Sequence, residues 1–280
     1  MTVTETMVQL TIDGQVVDVP KGASVLDACN AAGIDTPTLC YAENLTPVNA
    51  CRVCVVEQEG SRTLIPSCSR EAADGMTIQT DSERVRHSRK MVLEFLGSGV
   101  DLSQAGELAP WIEHYGADPE RYGDDRTRIT EPVRIQDDLY IRDYDKCVLC
   151  YKCVEACGDD AQHTFAIAVS GRGFGARIST EFDTELPDSA CVYCGNCVAV
   201  CPTNALQFKT EFDLRQAGEW KPDEQSVTRT VCSYCGVGCN LELHVQDETI
   251  VKVTSPNDHS VTSGHLCIKG RFGWTYVHGR

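Results

Sequence analysis

CVLCYKCVEAC (147–157) and CVYCGNCVAVCP (191–202) are two copies of one pattern. Each places cysteines at its first, fourth, seventh and eleventh positions, so three close-set thiols precede a fourth that lies a helical turn further on. Such a run wraps a short loop around a compact metal centre and then enters a helix. Thiolates supply the negative charge that binds ferric and ferrous iron, and the repeat points to two [4Fe–4S] cubes. A pair of four-cysteine zinc sites is the alternative. Between the runs lie 33 residues. Within them AIAVSGRGFGARIST (166–180) alternates in polarity around Gly171, Gly173 and Gly175, which predicts a hairpin across the clusters. No strand–glycine loop–helix context supports a phosphate-binding reading of those glycines. Gly158 follows Cys157 where Pro202 follows Cys201, which weakens that turn without removing a ligand.

Composition fits this chemistry. The chain has 280 residues, 17 cysteines and a net charge of −16. MTVTETMVQLTID alternates like a strand and has no apolar stretch of the kind that directs secretion. Reducing cytosol is therefore the expected location, where the same cysteine pattern favours metal over disulfides. No run approaches the roughly twenty apolar residues of a membrane span. The acidic balance argues against nucleic-acid binding and favours solubility or steering toward a basic partner.

Residues 1–80 open with a hairpin signal. Val8, Leu10 and Ile12 alternate with polar residues, Asp13-Gly14 supplies the turn, and Val16, Val17 and Val19 return. Ser24 is a candidate N-cap for a helix over VLDACNAA, with Asp27 three residues on and Gly33 as its stop. The next cysteines are Cys40-x10-Cys51-x2-Cys54-x13-Cys68. Small Asn49 and Ala50 allow that loop to close tightly on a centre. A four-cysteine zinc site is the alternative. Cys29 lies on the predicted helix outside the pattern and reads as a buried apolar thiol.

From Glu83 to Leu96 the sequence predicts an amphipathic helix, with Val85, Met91, Val92, Phe95 and Leu96 on one side and Gly97 as its stop. Arg84, Arg86, Arg89 and Lys90 read as a solvated face, with docking to an acidic neighbour as the alternative. The following stretch, GSGVDLSQAGELAPWIEHYGADPERYG (97–123), has no cysteine, and His87 and His114 read as surface or packing residues. After a polar linker, Gln216 to Ser226, comes a strand and then Cys232, Cys235, Cys239 and Cys267. A hairpin from Leu241 to Val245 and Ile250 to Val253 is expected between the last two. Gly236 and Gly238 free the backbone to fold around a cube.

Three resemblances follow from these motifs. The repeat resembles the two-cluster bacterial ferredoxins, in which the fourth cysteine of each run ligates the other cube. That resemblance implies one cube on Cys147, Cys150, Cys153 and Cys201, and a second on Cys191, Cys194, Cys197 and Cys157. Hairpin, helix and NACRVCVVE (49–57) resemble the β-grasp [2Fe–2S] domain that begins complex I large subunits, iron hydrogenases and NAD-linked formate dehydrogenases, implying Cys40, Cys51, Cys54 and Cys68 as ligands. In those larger relatives the helix leads into a His-x3-Cys-x2-Cys-x5-Cys cluster motif, so that extra cluster is expected to be missing here. The last group resembles the [4Fe–4S] domain of the molybdenum- or tungsten-bis-pterin oxidoreductases, implying Cys232, Cys235, Cys239 and Cys267 as ligands. Lys269 in CIKGR then matches the lysine between cube and pterin; a plain surface lysine is the alternative.

An α+β chain of four modules is therefore expected: a [2Fe–2S] ferredoxin-like domain at 1–80, a helical connector at 81–136, a two-[4Fe–4S] domain at 137–215 and a small [4Fe–4S] domain at 225–280. The implied cofactors are one [2Fe–2S] and three [4Fe–4S] clusters. Only thirteen residues follow Cys267, too few for a pterin domain. The resemblance thus implies an electron-transfer subunit of a cytosolic NAD-linked formate dehydrogenase, with no complete catalytic site of its own. A Mo- or W-bis-pterin catalytic partner would pass electrons to the Cys232 group, and an FMN-containing, NAD-binding partner would take them from the [2Fe–2S] end. Relay subunits of a hydrogenase or NADH dehydrogenase complex, a free multi-cluster carrier, and a piece of a longer enzyme are the alternatives. In the final segment Phe272, Trp274 and Tyr276 are expected as aromatic anchors to the catalytic partner.

Overall fold

The computed structural model describes residues 6–123, 127, 128 and 130–278. They form two compact units, Met1–Tyr41 with Pro47–Arg128, and Ala42–Thr46 with Ile129–Arg280. Among the described residues no helix is long and apolar enough to cross a membrane.

In the first unit, β1 (Met7–Ile12) and β2 (Gln15–Pro20) pair antiparallel with Ile12 opposite Gln15. Asp13 and Gly14 make the two-residue turn, both at positive φ (48° and 85°), the geometry that matches the twist of the paired strands. Val17 and Val19 face inward, whereas Val16 faces solvent, as strand alternation requires. Helix α1 (Val25–Ala31) carries a capping box: the Asp27 amide donates to Ser24 Oγ (3.1 Å) and the Ser24 amide to Asp27 Oδ2 (2.7 Å). Strands β3 (Val55–Gln58), β4 (Ile65–Pro66) and β5 (Thr77–Gln79) complete a five-stranded sheet in the order β2-β1-β5-β3-β4, with β1 and β5 parallel. Cys29 is fully buried among Val17, Val25, Val56 and Ile78.

The next helix corrects three expectations. α2 runs from Glu83 to Gly99, past Gly97, and its buried stripe is Val85, Arg89, Leu93, Glu94, Gly97 and Ser98. Phe95 is exposed, and Met91, Val92 and Leu96 are only partly covered. Arg89 is not on a solvated face: it donates to the Val55 carbonyl (2.9 Å) and to Tyr115 Oη (2.5 Å). Glu94, equally buried, meets Arg121 at 2.9 Å. Gly97 lies against Pro119, where a Cβ would approach within 2.7 Å, so close packing accounts for this glycine inside the helix. Most of the connector, including α3 (Ala109–His114), packs within the first unit, whereas residues 130–136 belong to the second, where Arg134 pairs with Asp183 at 2.8 Å. His87 and His114 are exposed.

The second unit holds both cysteine runs. β6 (Tyr140–Arg142) and β9 (Leu206–Phe208) pair antiparallel, Tyr140 opposite Phe208, on either side of the runs in sequence. α4 (Lys152–Cys157) and α5 (Asn196–Ala199) begin inside the runs, and β7 (Ala168–Ser170) with β8 (Arg177–Ser179) forms the expected hairpin. α6 (Lys209–Ala217) leads to the meander β10 (Ser226–Val231), β11 (Asn240–Gln246) and β12 (Thr249–Thr254), followed by α7 (Ile268–Phe272). The segment after α6 is tied down rather than free: the Lys221 amide donates to Gln246 Oε1 (2.9 Å), and Trp220 lies under Arg215 and Lys252.

Arg89→Met should strand the Val55 carbonyl and Tyr115 hydroxyl, at a cost of about 2–3 kcal/mol. Native-state hydrogen exchange of the α2 amides should show that loss; unchanged protection would contradict the role given to Arg89.

Candidate iron–sulfur sites

In the first unit Cys40, Cys54 and Cys68 are each 2% exposed, with Cys51 partly covered. The sulfurs of Cys54 and Cys68 stand 3.3 Å apart, and the Cys51 amide donates to Cys40 Sγ (3.4 Å). Cys40 is held far below the usual thiol range, first by a hydrogen bond from Cys51 and then by one from Cys68, while Cys51 is pushed up by giving that proton. Asn49 and Arg52 flank Cys51 in the left-handed region (φ 59° and 62°), and the Arg52 guanidinium fixes the loop by donating to Asn49 Oδ1 (3.0 Å) and the Leu64 carbonyl (3.2 Å). Left-handed backbone at non-glycine residues costs about 1–3 kcal/mol each and persists where a site demands it.

In the second unit the two runs exchange their last cysteines. One apolar cavity is lined by Cys157, Cys191, Cys194 and Cys197. Another is lined by Cys147, Cys150, Cys153 and Cys201. Tyr144, Ile178 and Leu206 border both, so one layer of side chains separates them. Leu149 and Tyr151 (φ 51° and 64°) match Tyr193 and Gly195 (φ 56° and 71°) at equivalent places in the repeat, turning both loops the same way. Amides of Tyr193 and Leu206 donate to the sulfurs of Cys191 and Cys201, each at 3.4 Å. Burial pushes Cys153 and Cys197 well above the ordinary thiol range, with neighbouring sulfurs adding to the effect.

The last set gathers more openly. The Cys232 amide donates to the Cys239 carbonyl (2.8 Å), and Cys239 feels the charges of Cys232, Cys267 and Cys235 after its own desolvation. Cys235, Cys267 and Lys269 are exposed. Two expected anchors turn inward: Phe272 stacks on Tyr140 (6.1 Å between centroids) and meets Phe208 (5.8 Å), and Trp274 packs on the meander core. Only Tyr276 of the three remains largely exposed, at 60%.

Cysteine spacing could not reveal three further residues. Tyr140 Oη lies 3.0 Å from Cys191 Sγ, and buried Asn196 and Arg271 hold the last segment against the Cys191 loop. The donor chemistry fits polynuclear iron–sulfur centres: each set offers four thiols, two sets surround apolar cavities, and backbone amides point at sulfur. Among the described residues no three His, Cys, Asp or Glu side chains converge as ligands of a single ion.

Three families match: "2Fe-2S iron-sulfur cluster binding domain" over residues 5–83, "4Fe-4S dicluster domain" over 146–205 and "Molybdopterin oxidoreductase Fe4S4 domain" over 225–279. The chain thus carries three iron–sulfur domain matches. A component of the NADH-quinone oxidoreductase of Rhizobium meliloti is 32% identical to this iron–sulfur protein over 98% of the chain, but the match covers 32% of that relative. A protein provisionally named a formate dehydrogenase, from Staphylococcus haemolyticus, is 26% identical over 96% of the chain and 31% of its own length. The chain thus spans about a third of the length of these relatives. A crystal structure of an NAD+-reducing [NiFe]-hydrogenase in its H2-reduced state shares the fold with a TM-score of 0.62 and 27% identity, covering 72% of this chain and 87% of that one.

Cys29 stands apart from every set, and burial raises its thiol to about 11 from 9.0. A raised thiol favours the fold while neutral, so its contribution, about 2–3 kcal/mol, is present below pH 9 and lost as pH rises toward 11. Cys29→Ala should flatten the stability of the first unit over that range and keep all bound iron; loss of iron would place Cys29 in a site.

Proposed function

We propose that the chain is the iron–sulfur electron-transfer part of an NAD(P)-linked oxidoreductase of formate dehydrogenase type. The observation that carries this reading is the exchange of Cys157 and Cys201 between the two runs, which gives two adjoining four-thiol cavities. In it, Cys40, Cys51, Cys54 and Cys68 hold a [2Fe–2S] cluster. Three [4Fe–4S] clusters are held by Cys147, Cys150, Cys153 and Cys201, by Cys157, Cys191, Cys194 and Cys197, and by Cys232, Cys235, Cys239 and Cys267. Bound clusters supply one-electron acceptors whose potentials follow charge, hydrogen bonding and exposure. The protein's own work is position and environment. Amides at Cys40, Cys191 and Cys201 favour negative charge on sulfur, Tyr140 adds a hydroxyl at Cys191, and the layer of Tyr144, Ile178 and Leu206 keeps water from between two sites.

The exposed edge at Cys235, Cys267 and Lys269 suits a catalytic partner carrying a Mo- or W-bis-pterin, with Lys269 nearest that cofactor. The family match at 225–279 supports such a partner, and the staphylococcal relative supports formate as its substrate. An FMN-bearing, NAD(P)-binding partner would serve the [2Fe–2S] end. The Rhizobium relative and the hydrogenase structure favour a second reading, the same relay in an NADH dehydrogenase or hydrogenase complex.

Cys157→Ala should damage the cube whose other ligands are Cys191, Cys194 and Cys197, and Cys201→Ala the cube of Cys147, Cys150 and Cys153, as read by EPR of the reduced proteins. Loss of the cube local in sequence would contradict the exchange. Copurification from the native cell separates the partners: a pterin protein and formate-dependent bleaching select the first reading, and hydrogen- or NADH-dependent bleaching without pterin selects the second.

A further inference from the structure

Arg271 is 0% exposed, four residues beyond Cys267 on α7. Its Nη2 donates to Asn196 Oδ1 (2.9 Å), and longer contacts reach the carbonyls of Val253 (3.4 Å), Gly264 (3.5 Å) and, from Nε, Cys194 (3.5 Å). All of these acceptors are neutral. Among the described residues no carboxylate lies within ion-pair distance of this guanidinium, unlike Glu94 and Glu211, each of which is buried with a basic partner. A buried cation without a counter-charge is costly, and such groups ordinarily sit opposite an anion.

The charges that do act on Arg271 are sulfurs from two different sets. Cys194 and Cys197 belong to one cavity, Cys267 to the last set, and all three favour the guanidinium against its desolvation. The approach is close: Gly195, between Cys194 and Cys197, has φ of 71°, and a Cβ there would meet Phe272 at 2.9 Å and the Arg271 Cγ at 3.1 Å. Asn196 Oδ1 also accepts the Leu266 amide (3.0 Å), so one side chain of the Cys191 loop grips both the segment before Cys267 and the guanidinium after it.

We infer that Arg271 is a positioning residue shared by two cluster sites, Cys157/191/194/197 and Cys232/235/239/267, where its fixed charge is the counter-ion of both and raises both reduction potentials. The inference rests on the cluster assignment proposed above. Four thiolates around an iron–sulfur core leave a net negative charge, and reduction adds one more, so a desolvated cation beside two such centres favours the reduced form of each. The cube of Cys147, Cys150, Cys153 and Cys201 has no sulfur among the charges acting on Arg271 and serves as an internal reference.

The test is an EPR-monitored potentiometric titration, with mediators and dithionite, of the wild-type full chain, Arg271→Gln and Arg271→Lys, each with iron and sulfide measured. In Arg271→Gln the reduced-to-oxidised ratio at a fixed potential should fall about tenfold or more for the two named cubes, which for a one-electron couple is 59 mV. The reference cube should not move, and Arg271→Lys should restore most of the shift. Unchanged potentials in a fully loaded Arg271→Gln, a shift confined to one cube, or an equal shift in Arg271→Lys would overturn the inference. Should Arg271→Gln lose its clusters, a loaded Arg271→Lys decides: retained potentials support the shared charge, and fallen ones overturn it. Loss of clusters from both variants would assign Arg271 to folding alone and overturn it as well. Wild-type protein lacking iron and sulfide would instead overturn the cluster assignment itself.

Discussion

A buried sulfur must either keep its proton or meet a compensating charge, and the second unit is arranged around that constraint. Its hydrophobic core includes Cys153 and Cys157 among Tyr144, Ile178, Leu206 and Phe208, with Cys147, Cys191, Cys197 and Cys201 packed against it. Desolvation pushes Cys153 and Cys197 toward the neutral thiol. In the proposed assignment iron would reverse this by binding the thiolate outright, so that metal binding and consolidation of the core would be one event. Amide donors at Cys191 and Cys201, the Tyr140 hydroxyl and the Arg271 guanidinium all supply positive potential where sulfur would otherwise be stranded. Metal ligation would also explain how so few apolar residues per module suffice.

The same constraint joins the dicluster and terminal modules. Arg271 and Asn196 form one connection, and the stack of Phe272 on Tyr140 another. A third runs through α6, where buried Glu211 meets Lys252 of β12 at 3.2 Å and Thr210 donates to the Val251 carbonyl at 2.7 Å. Such contacts hold sulfur sets at fixed separation, which the proposed electron-transfer role requires.

Much of this was legible in the sequence because it is local. Asp13-Gly14, the Ser24/Asp27 box and the hairpin around Gly173 are set by a few adjacent residues, and the cysteine spacings follow from the reach of short loops. The face of α2 was not, because counting apolar residues leaves out Arg89 and Glu94, whose burial depends on Val55, Tyr115 and Arg121 far away in the chain. Phe272 and Trp274 misled for a related reason: an aromatic near the end of the chain looks available until the core that consumes it is seen. Arg271 sits in plain view in CIKGRF, yet nothing in that string tells a buried cation from a surface one.

The central claim is that these four thiol sets are completed by iron and sulfide. Mössbauer spectroscopy of anaerobically isolated, 57Fe-enriched protein, with parallel metal and acid-labile sulfide analysis, tests it most directly. One [2Fe–2S] and three [4Fe–4S] signatures, about fourteen irons per chain, are predicted. Stoichiometric zinc with little sulfide, or a fourth cube, would contradict it.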